Sequence, residues 1–137
     1  MAKTIEINFD GYYTNFGSNK SAEKSGIYCI YKYNKQDNKV KDLIYIGESE
    51  DVNERLKKHN RWDDWTESLN SGEALCYSFG AIAPVDRERA EAALIFQHAP
   101  EFNSENKENF SYIETSIVLK GKTLHLKSNF TLKPTNP

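Results

Sequence analysis

The 137-residue chain has no apolar run approaching the roughly 20 residues that a membrane-spanning helix requires. Its opening, MAKTIEINFDG, lacks the charged-then-apolar layout of a secretory signal, so a cytoplasmic location is expected. Cysteine is scarce. Cys29 and Cys76 fall in strand-like segments without metal-ligand spacing, which favours two buried, reduced thiols over a disulfide or a metal site. Internal repeats and low-complexity runs are missing as well. With 38% hydrophobic residues the chain can bury a real core but is too short for two, so residues 1–137 are expected to form one domain.

Charge is present but unevenly spread. All 20 acidic residues and 14 of the 18 basic ones lie in residues 1–114, which carry a net −6. Residues 115–137 hold Lys120, Lys122, Lys127 and Lys133 without an acid, a net +4. Such a segment either engages phosphates by counterion release or forms a solvated, lysine-protected sheet edge. Lys120, Lys122 and Lys127 are therefore candidate nucleic-acid contacts.

The local pattern alternates strands with helices. KTIEINF (3–9) places Ile5, Ile7 and Phe9 on one side, as a half-buried strand does. GIYCIYKY (26–33) and LIYIGES (43–49), joined by a polar turn, read as a hairpin at the centre of the sheet. EDVNERLKKHN reads as a helix capped by Asp51, with Glu54 completing a capping box. LCYSFGAIA (75–83) is a further strand, and TSIVLKGKTLHLKS reads as a peripheral hairpin turning at Lys120-Gly121.

Two helical faces carry chemistry. If Asp86 caps a helix that starts near Arg87 and ends at Pro100, steps of about 100° per residue put Glu91 beside Leu94, Ile95 and His98. An ionised carboxylate on an apolar face costs several kcal/mol unless a basic side chain, a shared proton or a metal ion compensates it. On the earlier helix, Arg55 and His59 flank the stripe made by Val52 and Leu56, so both face inward or along a cleft edge.

GIY at 26–28, YIG at 45–47, Arg55 with His59 one turn later, and Glu91 in EAALIFQHAPEFN ending at Asn103 resemble the GIY-YIG nuclease superfamily in order and spacing. The resemblance covers about residues 25–104 and leaves 1–24 and 105–137 as peripheral additions. It implies an α+β fold: a small three-stranded antiparallel central sheet flanked by helices, here with an extra N-terminal strand and a C-terminal β-hairpin. It also implies a divalent-metal-dependent endonuclease that hydrolyses DNA phosphodiester bonds. By that resemblance Glu91 matches the ligand of one Mg²⁺ or Mn²⁺, Arg55 the phosphate-binding guanidinium, and Tyr28 the tyrosine that takes the proton from water. Tyr45 would position water or phosphate, and His59 would act as or assist the base. Gly26 and Gly47 would permit close backbone approach, with Asn103 as structural support.

Two departures stand out. The 16 residues between Tyr28 and Tyr45 exceed the family's usual spacing, at little cost in a turn. Glu48 follows YIG where related nucleases often carry a basic residue. Because added DNA-binding domains do not fit in this length, the chain is expected to be a minimal enzyme, one delivered by a targeting partner, or a homodimer. The competing expectation is a non-catalytic nucleic-acid- or protein-binding module that keeps the fold.

Overall fold

The structure is a computed structural model that describes residues 2–135. Strands β1 (Lys3–Tyr13), β2 (Gly26–Asn34), β3 (Lys39–Ser49), β4 (Glu73–Ala81), β5 (Thr115–Gly121) and β6 (Asn129–Leu132) form one sheet in the order β3-β2-β4-β1-β5-β6. Helices α1 (Val52–Lys57) and α2 (Trp62–Glu67) follow β3, and α3 (Pro84–His98) follows β4. No helix among the described residues is long and apolar enough to cross a membrane.

The α+β class agrees with expectation, but the small three-stranded sheet does not: the sheet has six strands and is mixed. The N-terminal strand and the C-terminal pair are parts of that sheet. β1 runs antiparallel to β4 and parallel to β5, in register from Lys3↔Thr115 to Phe9↔Gly121. Burial explains the insertion, because Ile5, Ile7 and Phe9 on β1 share a core with Ile117 and Leu119 on β5. The hairpin turn also moves. β5 runs through Lys120-Gly121, and a connection over residues 122–128 leads to β6, so the segment LHLK is not a strand. The β2–β3 hairpin lies at one side of the sheet, with β3 at the edge, and β2 is the strand buried on both faces, as its continuous apolar run requires.

Two helix boundaries differ as well. Helix α3 starts at Pro84, three residues before the expected Arg87, with Ala83 in the capping position. Proline suits the first helical turn, where its missing N–H has no partner to lose. Asp86 lies in that first turn and pairs with Lys3. Helix α1 is capped by Asp51, whose side chain accepts from the Glu54 amide at 3.0 Å. The return bond of a capping box is replaced, since the Asp51 amide donates to Ser49 Oγ. Lys58 leaves helical geometry at φ −141°, so His59 lies beyond the helix rather than on its last turn.

The sheet carries a core on each face. Helix α3 packs Ala90, Ala93 and Leu94 against Ile27, Cys29 and Ile46. On the other face Tyr28, Ile30, Val52, Leu56 and Trp65 come together under α1 and α2. β3, as the edge strand, is where helices from both faces meet. Its free edge is closed by the chain after α3: the Phe102 amide donates to the Ile44 carbonyl at 3.0 Å, and Asn103 takes both polar groups of Ile46. Cys29 and Cys76 are buried free thiols, and burial raises each to about 12.

Candidate active site

Strand register places Tyr28 opposite Gly47 and Ile30 opposite Tyr45. A side chain at 47 would meet the Tyr28 ring: an added Cβ stands 2.8 Å from Tyr28 Cε2 and closer still to its hydroxyl. Gly47 thus leaves the space that the phenol occupies. Gly26 faces the Gly80 carbonyl and the Phe79 ring with equally little room. Gly47→Ala is expected to push the phenol aside and lower any chemical rate that depends on Tyr28 by about 10²-fold, the usual effect of a misplacement near 1 Å. Single-turnover kinetics check this, and a rate within threefold of wild type would show that the phenol tolerates displacement.

His59 meets Tyr28 at 2.8 Å between Nε2 and the hydroxyl. Both residues are buried, at 6% and 1% exposure. The Arg61 amide donates to His59 Nδ1 at 3.0 Å, so in the neutral ring the proton lies on Nε2, which then donates to the phenol oxygen. Burial, helped by the charges of Arg55 and Arg61, pulls the imidazole down to about 3 and keeps it neutral. The ring packs among Trp65, 4.4 Å between centroids, and Tyr45, 5.2 Å. Burial raises Tyr28 far above the usual phenol range, with Tyr45 and Glu91 adding to the rise and the charge of Arg55 opposing it.

Glu91 lies on α3 and shares a polar cavity of about 250 Å³ with Tyr45, Arg55, Arg61 and Asn103. The nearest basic residue on its own helical face, Arg87 one turn earlier, is committed elsewhere: its guanidinium pairs with Glu48 and donates to Ser25 Oγ at 3.0 Å. Among the described residues Glu91 makes no ion pair. Burial raises its carboxyl to about 7, with the Glu48 charge next in effect and the Glu48 backbone bond acting against the rise. Of the three ways to compensate this carboxylate, a direct ion pair is not made among the described residues, although Arg55 and Arg61 line the same cavity. No group of three or more His, Cys, Asp or Glu suited to a metal occurs among the described residues.

Five expected residues, Tyr28, Tyr45, Arg55, His59 and Glu91, therefore converge at the β3 edge, linked by the contacts above. Asn103 supports the wall, accepting from the Ile46 amide at 2.9 Å and donating to its carbonyl at 2.8 Å. The lysines lie elsewhere: Lys120 pairs with Glu6 at 3.3 Å on the far strands, and the Lys127 amide donates to His98 Nε2 at 2.8 Å.

Sequence reasoning missed three contributors. Arg61 reaches Ser104 Oγ at 3.2 Å across the cavity mouth, and Asn60 accepts from Arg55 at 2.8 Å. Their signal was faint, a polar pair directly after His59. The Arg87–Glu48 pair was more accessible, since Arg87 stands four residues before Glu91 on the same helical face. No curated protein and no solved structure matches the chain. Residues 24–109, well over half of it, match the family model described as the GIY-YIG catalytic domain, and the protein belongs to the GIY-YIG nuclease superfamily.

Proposed function

We propose that the protein is a divalent-metal-dependent endonuclease hydrolysing DNA phosphodiester bonds, with residues 1–137 acting as one nuclease domain. The observation that carries this reading is a buried carboxylate, Glu91, with no ion pair among the described residues, sharing a polar cavity with Arg55 beside a tyrosine whose hydroxyl meets His59 Nε2 at 2.8 Å. Glu91 fits a divalent ion: it lacks a basic partner, and Mg²⁺ accepts a single carboxylate when water and phosphate oxygens supply the rest of its shell. When bound there, Mg²⁺ or Mn²⁺ supplies charge neutralisation at the phosphate and offsets the Glu91 charge that opposes ionisation of Tyr28.

The chain's own residues do the remainder. Tyr28, as phenolate, takes the proton of the attacking water; burial opposes that form, while the His59 N–H and the Arg55 charge favour it. His59 serves as a donor rather than a base, because its Nδ1 is occupied by the Arg61 amide and its basicity is suppressed. Arg55, steadied by Asn60, presents a planar fork suited to the phosphate oxygens. Tyr45, stacked near Tyr28 at 6.2 Å, orients water or phosphate from the cavity wall. Asn103 keeps β3, and with it Tyr45 and Gly47, against the end of α3.

Supercoiled plasmid incubated with Mg²⁺ or Mn²⁺ tests the reading directly. Nicking that chelator stops supports it, whereas intact plasmid under both metals leaves a module that keeps the fold without the reaction. Lys120, Lys122 and Lys127 are proposed as peripheral phosphate contacts. Replacing all three by alanine should make the slope of log K against log salt shallower by up to ~2.7 on duplex DNA, since each released contact contributes about 0.9. An unchanged slope assigns them to solubility. Truncation is a poorer test, because β5 is part of the sheet.

A further inference from the structure

Trp62 opens α2 and remains 36% exposed, although the next aromatic of that helix, Trp65, is fully buried. Its indole meets the edge of a groove of about 420 Å³ whose walls include Phe16, Lys57, Lys58, Asn60 and Trp62. Phe16 stands T-shaped to Trp62 at 5.1 Å and is itself held against Tyr77 at 4.7 Å, so the aromatic wall is fixed from behind. Gly17, at φ +81°, lets the Phe16 segment pass hard against Lys57, where an added Cβ would stand 3.0 Å from Lys57 Cα.

Charge accompanies the rings. Lys58 forms no ion pair among the described residues, and Lys57 has only a solvent-exposed contact with Glu54 at 3.5 Å, which is worth little. Asp63 is the one acid in the wall. An exposed indole beside two lysines matches the pairing of ring face and cation that holds single-stranded nucleic acid: stacking for a base, charge for its phosphate.

Position supplies the direction. Asn60 lines this groove and also the cavity of Glu91, Tyr45 and Arg55, so the two depressions share a wall. His59 lines the groove on one side and touches Tyr28 on the other. Asn60 thus joins the cavity that holds Arg55 to the groove that holds Trp62, the side from which a nucleotide flanking a phosphate at Arg55 would reach the indole. Within a duplex both faces of each base are covered by neighbours, and only an unpaired or splayed base offers a free face.

We infer that the Trp62–Phe16 groove is a base-stacking subsite that takes one unpaired nucleotide flanking the scissile phosphate, so that the substrate is DNA carrying a single-stranded segment, such as a flap or gap, at the cut. The inference rests on the nuclease reading for the identity of the ligand, but it is tested by binding alone.

The full-length protein, in chelator, is titrated with a thymidine 12-mer, with a matched blunt duplex, and with a flap substrate carrying 2-aminopurine at the junction. Trp62→Leu, which keeps an apolar side chain against Phe16, should weaken the 12-mer roughly five- to a hundredfold, the usual range for one stacked base, and leave the duplex within about twofold. Trp62→Phe should restore most of the loss, and wild type but not Trp62→Leu should quench the junction 2-aminopurine. Equal weakening of 12-mer and duplex, or no weakening of either, overturns the subsite.

Should Trp62→Leu fail to fold, the wild type still decides. Trp65 is buried, so the 12-mer must quench the accessible Trp62 emission, and unchanged emission on saturation overturns the proposal. Wild type that binds and stacks but never cuts with Mg²⁺ or Mn²⁺ defeats the nuclease reading while leaving the subsite standing. Wild type that binds none of the three ligands overturns the subsite, and nicking of plasmid with Mg²⁺ or Mn²⁺ then decides the nuclease reading separately.

Discussion

Glu91→Gln is expected to abolish cleavage and, in metal-free buffer at pH 8, to be more stable than the wild type by about 1–3 kcal/mol, the free-energy equivalent of its raised carboxyl discounted for partial exposure. The sign follows from the raised carboxyl. Glu91 titrates at about 7 in the folded chain against an ordinary value of 4.5, so between those values the native state binds more protons than the unfolded one. Stability contributed by the wild-type acid is full below about 4.5 and is lost as pH rises through 7. Denaturant midpoints of wild type and Glu91→Gln should therefore converge near pH 4 and separate by pH 8. Added Mg²⁺ should stabilise the wild type at pH 8 and leave the variant unmoved. If Glu91→Gln instead unfolds more easily at pH 8, the carboxylate has a stabilising partner and the metal reading loses its support.

Tyr28→Phe should cost about 10²-fold or more in the single-turnover rate, the usual worth of general acid–base catalysis, with DNA binding nearly unchanged. Removing the hydroxyl takes away the oxygen that His59 meets but keeps the ring that fills the core. His59→Gln, which retains an N–H donor, should cost less than Tyr28→Phe. The pH profile separates their roles. Burial raises Tyr28, so the rate should climb toward alkaline pH, and His59, titrating near 3, contributes no limb around neutrality. Disappearance of a limb near 6.5 in His59→Gln, together with an active Tyr28→Phe, would exchange the two assignments and make histidine the base.

Much of the site was legible because short-range periodicity controls it. The aromatic and β-branched run over 26–33 put Tyr28 in a strand, and the helical repeat put Glu91 on the apolar side of α3. The sheet was less legible, since the parallel pairing of β1 with β5 is a choice of partner across the whole chain, which no local window contains. The turn after β5 was misplaced for a related reason: Lys120-Gly121 looks like a turn, yet Gly121 serves a close backbone approach, with the Phe9 carbonyl carbon only 3.1 Å from a Cβ built there. His59 was placed on the helix because its spacing from Arg55 suits one turn. Its donor role was invisible, as the tautomer depends on a backbone amide two residues later that faces Nδ1 only after the helix has ended at Lys57.

The β1–β5 pairing has a bearing on how the molecule is made. Ile5 lies opposite Ile117, 112 residues later in the chain. At translation rates of about 5–20 residues per second, roughly 6–22 s separate their emergence from the ribosome. The β2–β3 hairpin, with its local contacts, can assemble within that interval, and β4 can then cover one side of β1. The other side of β1, with its row of unpaired amides and carbonyls, must wait for β5. A nascent chain stalled before Thr115 would carry most of the candidate site together with an open, adhesive strand edge, and holdase chaperones would be expected to find that edge before the protein's own last strands do.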